Sequence, residues 1–175
     1  LLAHEGLHQY LARFFPDPVP AWANEVLATQ FEAFDLDGPF PTFTSRRNYF
    51  RRNNLRELVT AGQDGLIPLV DLLSMDAGQA VRGIRYGSRA YYAQIWSLVL
   101  FLMDGSAPAA CQDGFRRLLA DLGTERMKMA IRAQRVTTSD SAGMSDGELL
   151  FRHYISEDLS ATDREYRAFA EALLR

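Results

Sequence analysis

Two histidines four residues apart, with a glutamate directly after the first, stand at the start of this chain as His4-Glu5-Gly6-Leu7-His8. Positions i and i+4 of an α-helix lie one above the other on one face. The spacing therefore asks for a helix that turns both imidazoles to the same side, and one is predicted from about Leu1 to Phe14, with Leu2, Leu7, Leu11 and Phe14 as its buried side. Each histidine can then offer one ring nitrogen to a single metal ion. Glu5 lies about 100° around the helix from His4, outside that row, and is placed to reach a water on the metal instead. Two ligands, a general base and an activated water are the parts of a zinc hydrolase site. The competing reading is a pair of histidines held by hydrogen bonds at the edge of a core, and a third ligand at a workable distance decides between the two.

Pro16, Pro18 and Pro20 end the first helix and force an extended connector, because residues before proline avoid the α region. A second helix is predicted from about Ala21 to Phe34, with Trp22, Leu27, Phe31 and Phe34 in the core. Glu25 falls on it, 17 positions after His8. A short turn and a returning helix can bring that carboxylate back over the first helix. Two histidines, one glutamate and an open position make a catalytic zinc arrangement, not a closed structural one.

His4-Glu5-x-x-His8 followed by Trp22-x-Asn24-Glu25-x-x-Ala28 resembles the gluzincin metallopeptidases, the group that includes thermolysin and the zinc aminopeptidases, and within it the bacterial peptidase MA-like domains. The resemblance covers about the first 30 residues and implies that His4, His8 and Glu25 ligate zinc (Zn2+) and that Glu5 is general base and proton shuttle. It also implies a peptide or protein substrate, a β-sheet lobe upstream of the first helix, and a secreted or cell-envelope setting. The chain departs from the pattern in three ways. The His8-to-Glu25 spacing is slightly shorter than in the best-known aminopeptidases. Val26 stands where those enzymes usually have glycine, and Thr29 where thermolysin-like enzymes carry an aspartate that supports a ligand histidine. The partner that orients each ligating imidazole is thus open at this point, with Asn24 either that partner or engaged in a local hydrogen bond.

Further along, Asp35 to Thr44 reads as a loop, with Phe40 and Phe43 tucked into the domain or bordering a cleft. The basic run from Arg46 to Arg56 reads as a solvated helix face pairing with acidic neighbours, with an anion-binding patch as the alternative; Tyr49 and Phe50 within it suit a core. Gly62 to Gly65 is a turn, Leu66 to Ser74 a short apolar helix with Pro68 in its first turn, and Met75 to Gly87 a glycine-rich loop. Ser88 to Leu102 is apolar on nearly all sides and should be the central buried helix. Its opening tyrosines resemble the downstream helix of the gluzincin aminopeptidases, where a tyrosine donates to the developing oxyanion. Tyr92 matches that position best and Tyr91 second; ordinary packing is the other reading of both. Amphipathic helices are expected at Ala107 to Leu122, Glu125 to Arg135 (with Met127, Met129 and Ile131) and Ala161 to Leu174, with a mobile loop from Val136 to Gly143. Ser145 and Glu148 form a capping-box pattern at the start of a helix to Tyr154. His153 is either a further donor on that helix or an exposed helix-end histidine.

The expected fold is all-α, an irregular multi-helix bundle over residues 1–175 resembling the helical subdomain of a gluzincin. The chain opens inside an amphipathic helix and without methionine, so it is expected to be a fragment whose β-lobe and any targeting segment lie upstream. A formal charge of −3 gives no overall pull towards nucleic acid, and no apolar run approaches the roughly 18 residues of a membrane span. The single cysteine, Cys111, excludes an internal disulfide and a cysteine-based zinc site. Three functions follow in order: a zinc peptidase; a non-catalytic helical scaffold or interaction domain that has kept the skeleton, for which Val26 and Thr29 speak mildly; and nucleic-acid binding through the basic run.

Overall fold

Helix α6 (Ser88–Met103) is the axis on which the other elements pack, and every side chain from Ala93 to Leu102 is buried. A helix apolar all round gains most when all its faces are covered, and here α2 (Ala21–Ala28), α3 (Tyr49–Thr60), α7 (Ala109–Asp121) and α10 (Leu159–Leu173) cover them. Its two interior polar residues are satisfied. Gln94 accepts from Ile67 N at 2.6 Å and donates to Ile67 O at 3.1 Å, and Ser97 shares a 2.6 Å hydrogen bond with the Tyr166 hydroxyl. Around this axis lie α1 (Leu2–Phe14) against α2, α4 (Leu69–Ser74) and α8 (Glu125–Thr137) against α9 (Asp146–Tyr154), and the short α5 (Ala77–Arg82). The computed structural model describes residues 2–15, 19–62, 65–75, 77–82, 86–104, 106–138 and 141–175, without the side chains of 77, 80 and 81. The fold is all-α. The one sheet among the described residues is a two-stranded antiparallel pair, β1 (Phe34–Asp35) and β2 (Thr42–Phe43).

Trp22 ties the second helix to the far side of the core. Its ring is fully buried, its indole N–H donates to Gly147 O at 3.0 Å, and it meets Phe151 edge-on. The indole thus finds the partner a buried tryptophan needs. Pro20 precedes the first helical turn, where its missing N–H costs nothing. The helix tightens after Ala28 into a 3-10 turn, Thr29–Phe31, instead of running on to Phe34. Thr29 Oγ1 and Gln30 Nε2 both donate to Val26 O, the local side-chain competition for a carbonyl that bends helices.

Several other expectations are corrected. On α1 only His4 and Leu11 are buried, while Leu2 is 91% and Phe14 64% exposed, because among the described residues the main cover on this helix comes from α2 and the 3-10 turn after it. Phe40 and Phe43 are exposed, as are Phe34, Tyr49, Phe50 and Met129. The stretch around Phe34 and Phe43 is a small hairpin whose rings touch each other rather than the core. Pro68 precedes α4 rather than opening it, and α5 occupies part of the expected loop before Gly87. α8 continues to Thr137, past the predicted end at Arg135. Ser145 caps α9 through Glu148 N as predicted, but the Glu148 carboxylate turns to Arg152 instead of closing the box. Pro16, Pro18, Gln63, Asp64 and residues 83–85 fall outside the described residues.

The close approach of α9 to α2 gives a direct test. A methyl added at Gly147 would run into the Leu73 carbonyl oxygen of α4 and sit 2.8 Å from the Trp22 ring, so Gly147→Ala is expected to destabilise the fold by about 1–3 kcal/mol in chemical denaturation. Unchanged stability would contradict this packing.

Candidate metal centre

Helix α1 crosses α2 and the 3-10 turn so that His4, His8 and Glu25 meet. The two Nε2 atoms are 3.0 Å apart, and Glu25 Oε2 lies 3.4 Å from that of His4 and 3.5 Å from that of His8. The edge of a tetrahedron is about 1.6 times the centre-to-vertex distance, so nitrogen and carboxylate ligands at about 2.0–2.2 Å from zinc stand roughly 3.3–3.6 Å apart. Two of the three separations fall in that range, and the third is the short contact of two hydrogen-bonded rings. The donor chemistry fits as well. Glu25 Oε2 is buried, hydrogen-bonded to nothing, and turned towards both imidazoles. A buried carboxylate oxygen in that state is costly unless a cation faces it; protonated His4 fills that part in the metal-free protein, and a metal ion would fill it in place of the proton.

Each ring has its own second contact. Asn24 Oδ1 accepts from His8 Nδ1 at 2.9 Å, which leaves His8 Nε2 with its lone pair towards the cluster. Glu32 Oε1 lies 3.1 Å from His4 Nδ1, at an oblique angle. Glu32 is in turn gripped by Arg51, with Nε to Oε2 at 2.8 Å and Nη2 to Oε1 at 2.6 Å, and by Asn48 Nδ2 at 2.7 Å. These contacts hold its carboxyl down at about 2 against the cost of burial. Between the carboxylates of Glu25 and Glu32, His4 is pushed up to about 9, with Glu25 the larger influence and burial opposing both. A doubly protonated His4 suits these surroundings: its Nε2 is hydrogen-bonded to His8 Nε2, and its Nδ1 lies beside the Glu32 carboxylate without a formed hydrogen bond.

Tyr92, half-buried on the first turns of α6, donates its hydroxyl to Glu25 Oε1 at 3.3 Å, and its ring edge faces His4. Arg51 lies over the same ring, 4.9 Å from its centroid. Burial and the Glu25 carboxylate push the Tyr92 hydroxyl up to about 12, so it stays protonated, a donor, at neutral pH. Tyr91 is fully buried in the main core. Glu5 is exposed, and its charge is near enough to raise the Tyr92 hydroxyl.

The sequence motifs thus place His4, His8, Glu25, Glu5 and Tyr92 in one neighbourhood. Thr29 takes no part, since its hydroxyl is spent on Val26 O. His153 is exposed at the end of α9, edge-on to Tyr154 in a groove with Arg117 and Arg126. Glu32 and Arg51 carry no motif, yet a signal for Glu32 exists: it follows Glu25 by seven residues, two helical turns. Arg46 and Arg47, in the same basic run as Arg51, pair with Asp104 and Asp35 at the surface. No helix among the described residues is long and apolar enough to cross a membrane. Comparison of the chain with protein families, curated proteins and solved structures finds no match, so the functional reading rests on this geometry and on the motif.

The raised His4 pKa has a measurable consequence. In the metal-free protein the protonated ring stabilises the fold fully below about 6.5, and this contribution is lost as pH rises through about 9. A metal needs the neutral ring, so zinc uptake at pH 7 is expected to release about one proton per ion, and apparent affinity should climb up to about pH 9. Calorimetry in buffers of different ionisation enthalpy reads this directly. Uptake with no proton release would contradict the assigned state of His4.

Proposed function

We propose that the chain is the helical part of a zinc-dependent metallopeptidase, with His4, His8 and Glu25 as the metal ligands. The observation that carries this reading is the buried Glu25 Oε2, without a hydrogen bond, standing 3.4 and 3.5 Å from two imidazole nitrogens. Zinc held by such a set supplies Lewis acidity, lowering the pKa of water towards 7 and polarising a carbonyl. Asn24 fixes the tautomer of His8 by accepting from its Nδ1.

The remaining roles belong to side chains that border the cluster. Glu5 is exposed on the helix that carries both histidines. It takes a proton from the water that attacks the scissile carbonyl and returns it to the leaving amine, so the C–N bond breaks as the amine is protonated. Tyr92 stays protonated at neutral pH and already points its hydroxyl at the ligand carboxylate. Turning that donor to the carbonyl oxygen as charge builds there stabilises the transition state. The substrate class is a peptide or protein. By the resemblance to gluzincins, a β-sheet lobe of the same protein would align it along the cleft.

The test combines metal analysis with peptide hydrolysis. The wild-type protein is expected to bind one zinc per chain and to cleave peptides from a mixed library. Glu5→Gln should keep the zinc and lose about 10²–10⁴-fold in rate, the range for a general base. Unchanged hydrolysis by that variant would refute the base. Zinc bound without any cleavage would favour the alternative of a non-catalytic helical scaffold, and absence of zinc uptake would sink the metal reading.

A further inference from the structure

Arg51 belongs to the basic run, yet it is the member turned inwards. Its guanidinium makes two bonds to the Glu32 carboxylate and lies over the rings of Tyr92 and, farther off, Phe50; Glu32 and Tyr92 border the candidate metal cluster. The Glu32 side reads Arg51 Nη2 to Glu32 Oε1 at 2.6 Å, then Glu32 Oε1 to His4 Nδ1 at 3.1 Å. The Tyr92 side reads Arg51 over the ring at 4.9 Å, then the hydroxyl to Glu25 Oε1 at 3.3 Å. Contacts therefore run in a closed loop from His4 through Glu32, Arg51, Tyr92 and Glu25 back to His4. Helix α3 is the element that brings the arginine in, and Asn48 both caps it through Arg51 N and donates to Glu32.

We infer that Arg51 and Glu32 are positioning residues which together set the ring of His4 and the phenol of Tyr92 with a single planar cation. The physical grounds are the shapes of the groups. A bidentate guanidinium fixes the plane of a carboxylate as well as its place. A carboxylate so fixed, 3.1 Å from His4 Nδ1 though not hydrogen-bonded to it, gives that nitrogen one acceptor to turn to, and thereby aims Nε2 on the other side of the ring. The flat face of the same cation seats the Tyr92 ring by cation–π attraction, which limits where its hydroxyl can swing. Lysine carries the charge but neither the fork nor the face. Charge alone therefore cannot replace Arg51.

This inference rests on the proposed metal site, and the experiment separates the two. Zinc affinity is measured by competition with a chromophoric chelator for wild type, Glu32→Gln, Arg51→Lys and, as a control on the same basic run, Arg46→Ala, with circular dichroism and thermal unfolding of each metal-free protein recorded alongside. Glu32→Gln and Arg51→Lys are expected to lose about 10–100-fold in zinc affinity, the range for partners of a ligating histidine, while remaining folded; Arg46→Ala should bind like wild type. In peptide hydrolysis at saturating zinc, Arg51→Lys should lower kcat with KM little changed, the result of a displaced Tyr92. Lowered thermal stability with unchanged affinity and kcat would mean that the pair is only structural and would overturn the inference, as would full rescue by lysine. If wild type itself binds no zinc, the metal site falls, and this inference with it.

Discussion

Three ionisable side chains, His4, Glu25 and Glu32, are packed into the crossing of α1 with α2 and the turn that follows it. Ionised groups leave water only at a cost of several kcal/mol each unless opposite charge and hydrogen bonds replace it. The crossing supplies both. Glu32 has Arg51 and Asn48, His4 has two carboxylates, and Glu25 has the Tyr92 hydroxyl on one oxygen. Oε2 of Glu25 and Nδ1 of His4 are left with no hydrogen bond. The proposed function grows from Glu25 Oε2, where a metal ion would take over the positive charge that protonated His4 supplies in the metal-free protein.

The rest of the fold can be understood as what keeps the crossing rigid. The buried α6 carries Tyr92 at one end and, through Gln94, clamps the chain before α4. Trp22 anchors α2 to α9 only three residues ahead of Glu25. That places the carboxylate on a helix whose position is fixed by a fully buried ring. α1, in contrast, is held from one side, so its histidines depend on the partners they meet on α2 and beyond, Asn24 for His8 and Glu32 for His4.

The elements that could be read from sequence were those with a strong local pattern. The histidine spacing, the tryptophan-to-glutamate signature and the unbroken apolar run of α6 each carry a period or a motif, and the helices and the meeting of His4, His8 and Glu25 follow from them. Burial on α1 was misjudged because amphipathic spacing gives a face but not what covers it; Leu2 and Phe14 are apolar and exposed. The aromatic residues from Phe34 to Phe50 misled for the same reason. Glu32 and Arg51 were hidden by distance along the chain. A glutamate two turns beyond Glu25 has no motif, and an arginine among four others looks solvated until the helix that carries it is placed. The two opening tyrosines of α6 part ways only in three dimensions, where packing buries Tyr91 in the core and turns Tyr92 to Glu25.

The central claim is that His4, His8 and Glu25 form one three-ligand zinc site. A crystal structure of the zinc-loaded protein, with anomalous scattering recorded on both sides of the zinc edge, measures it most directly. The account predicts one peak per chain, within about 2.0–2.2 Å of both Nε2 atoms and of a Glu25 carboxylate oxygen. Zinc bound elsewhere on the chain, or a peak that omits Glu25, would contradict it.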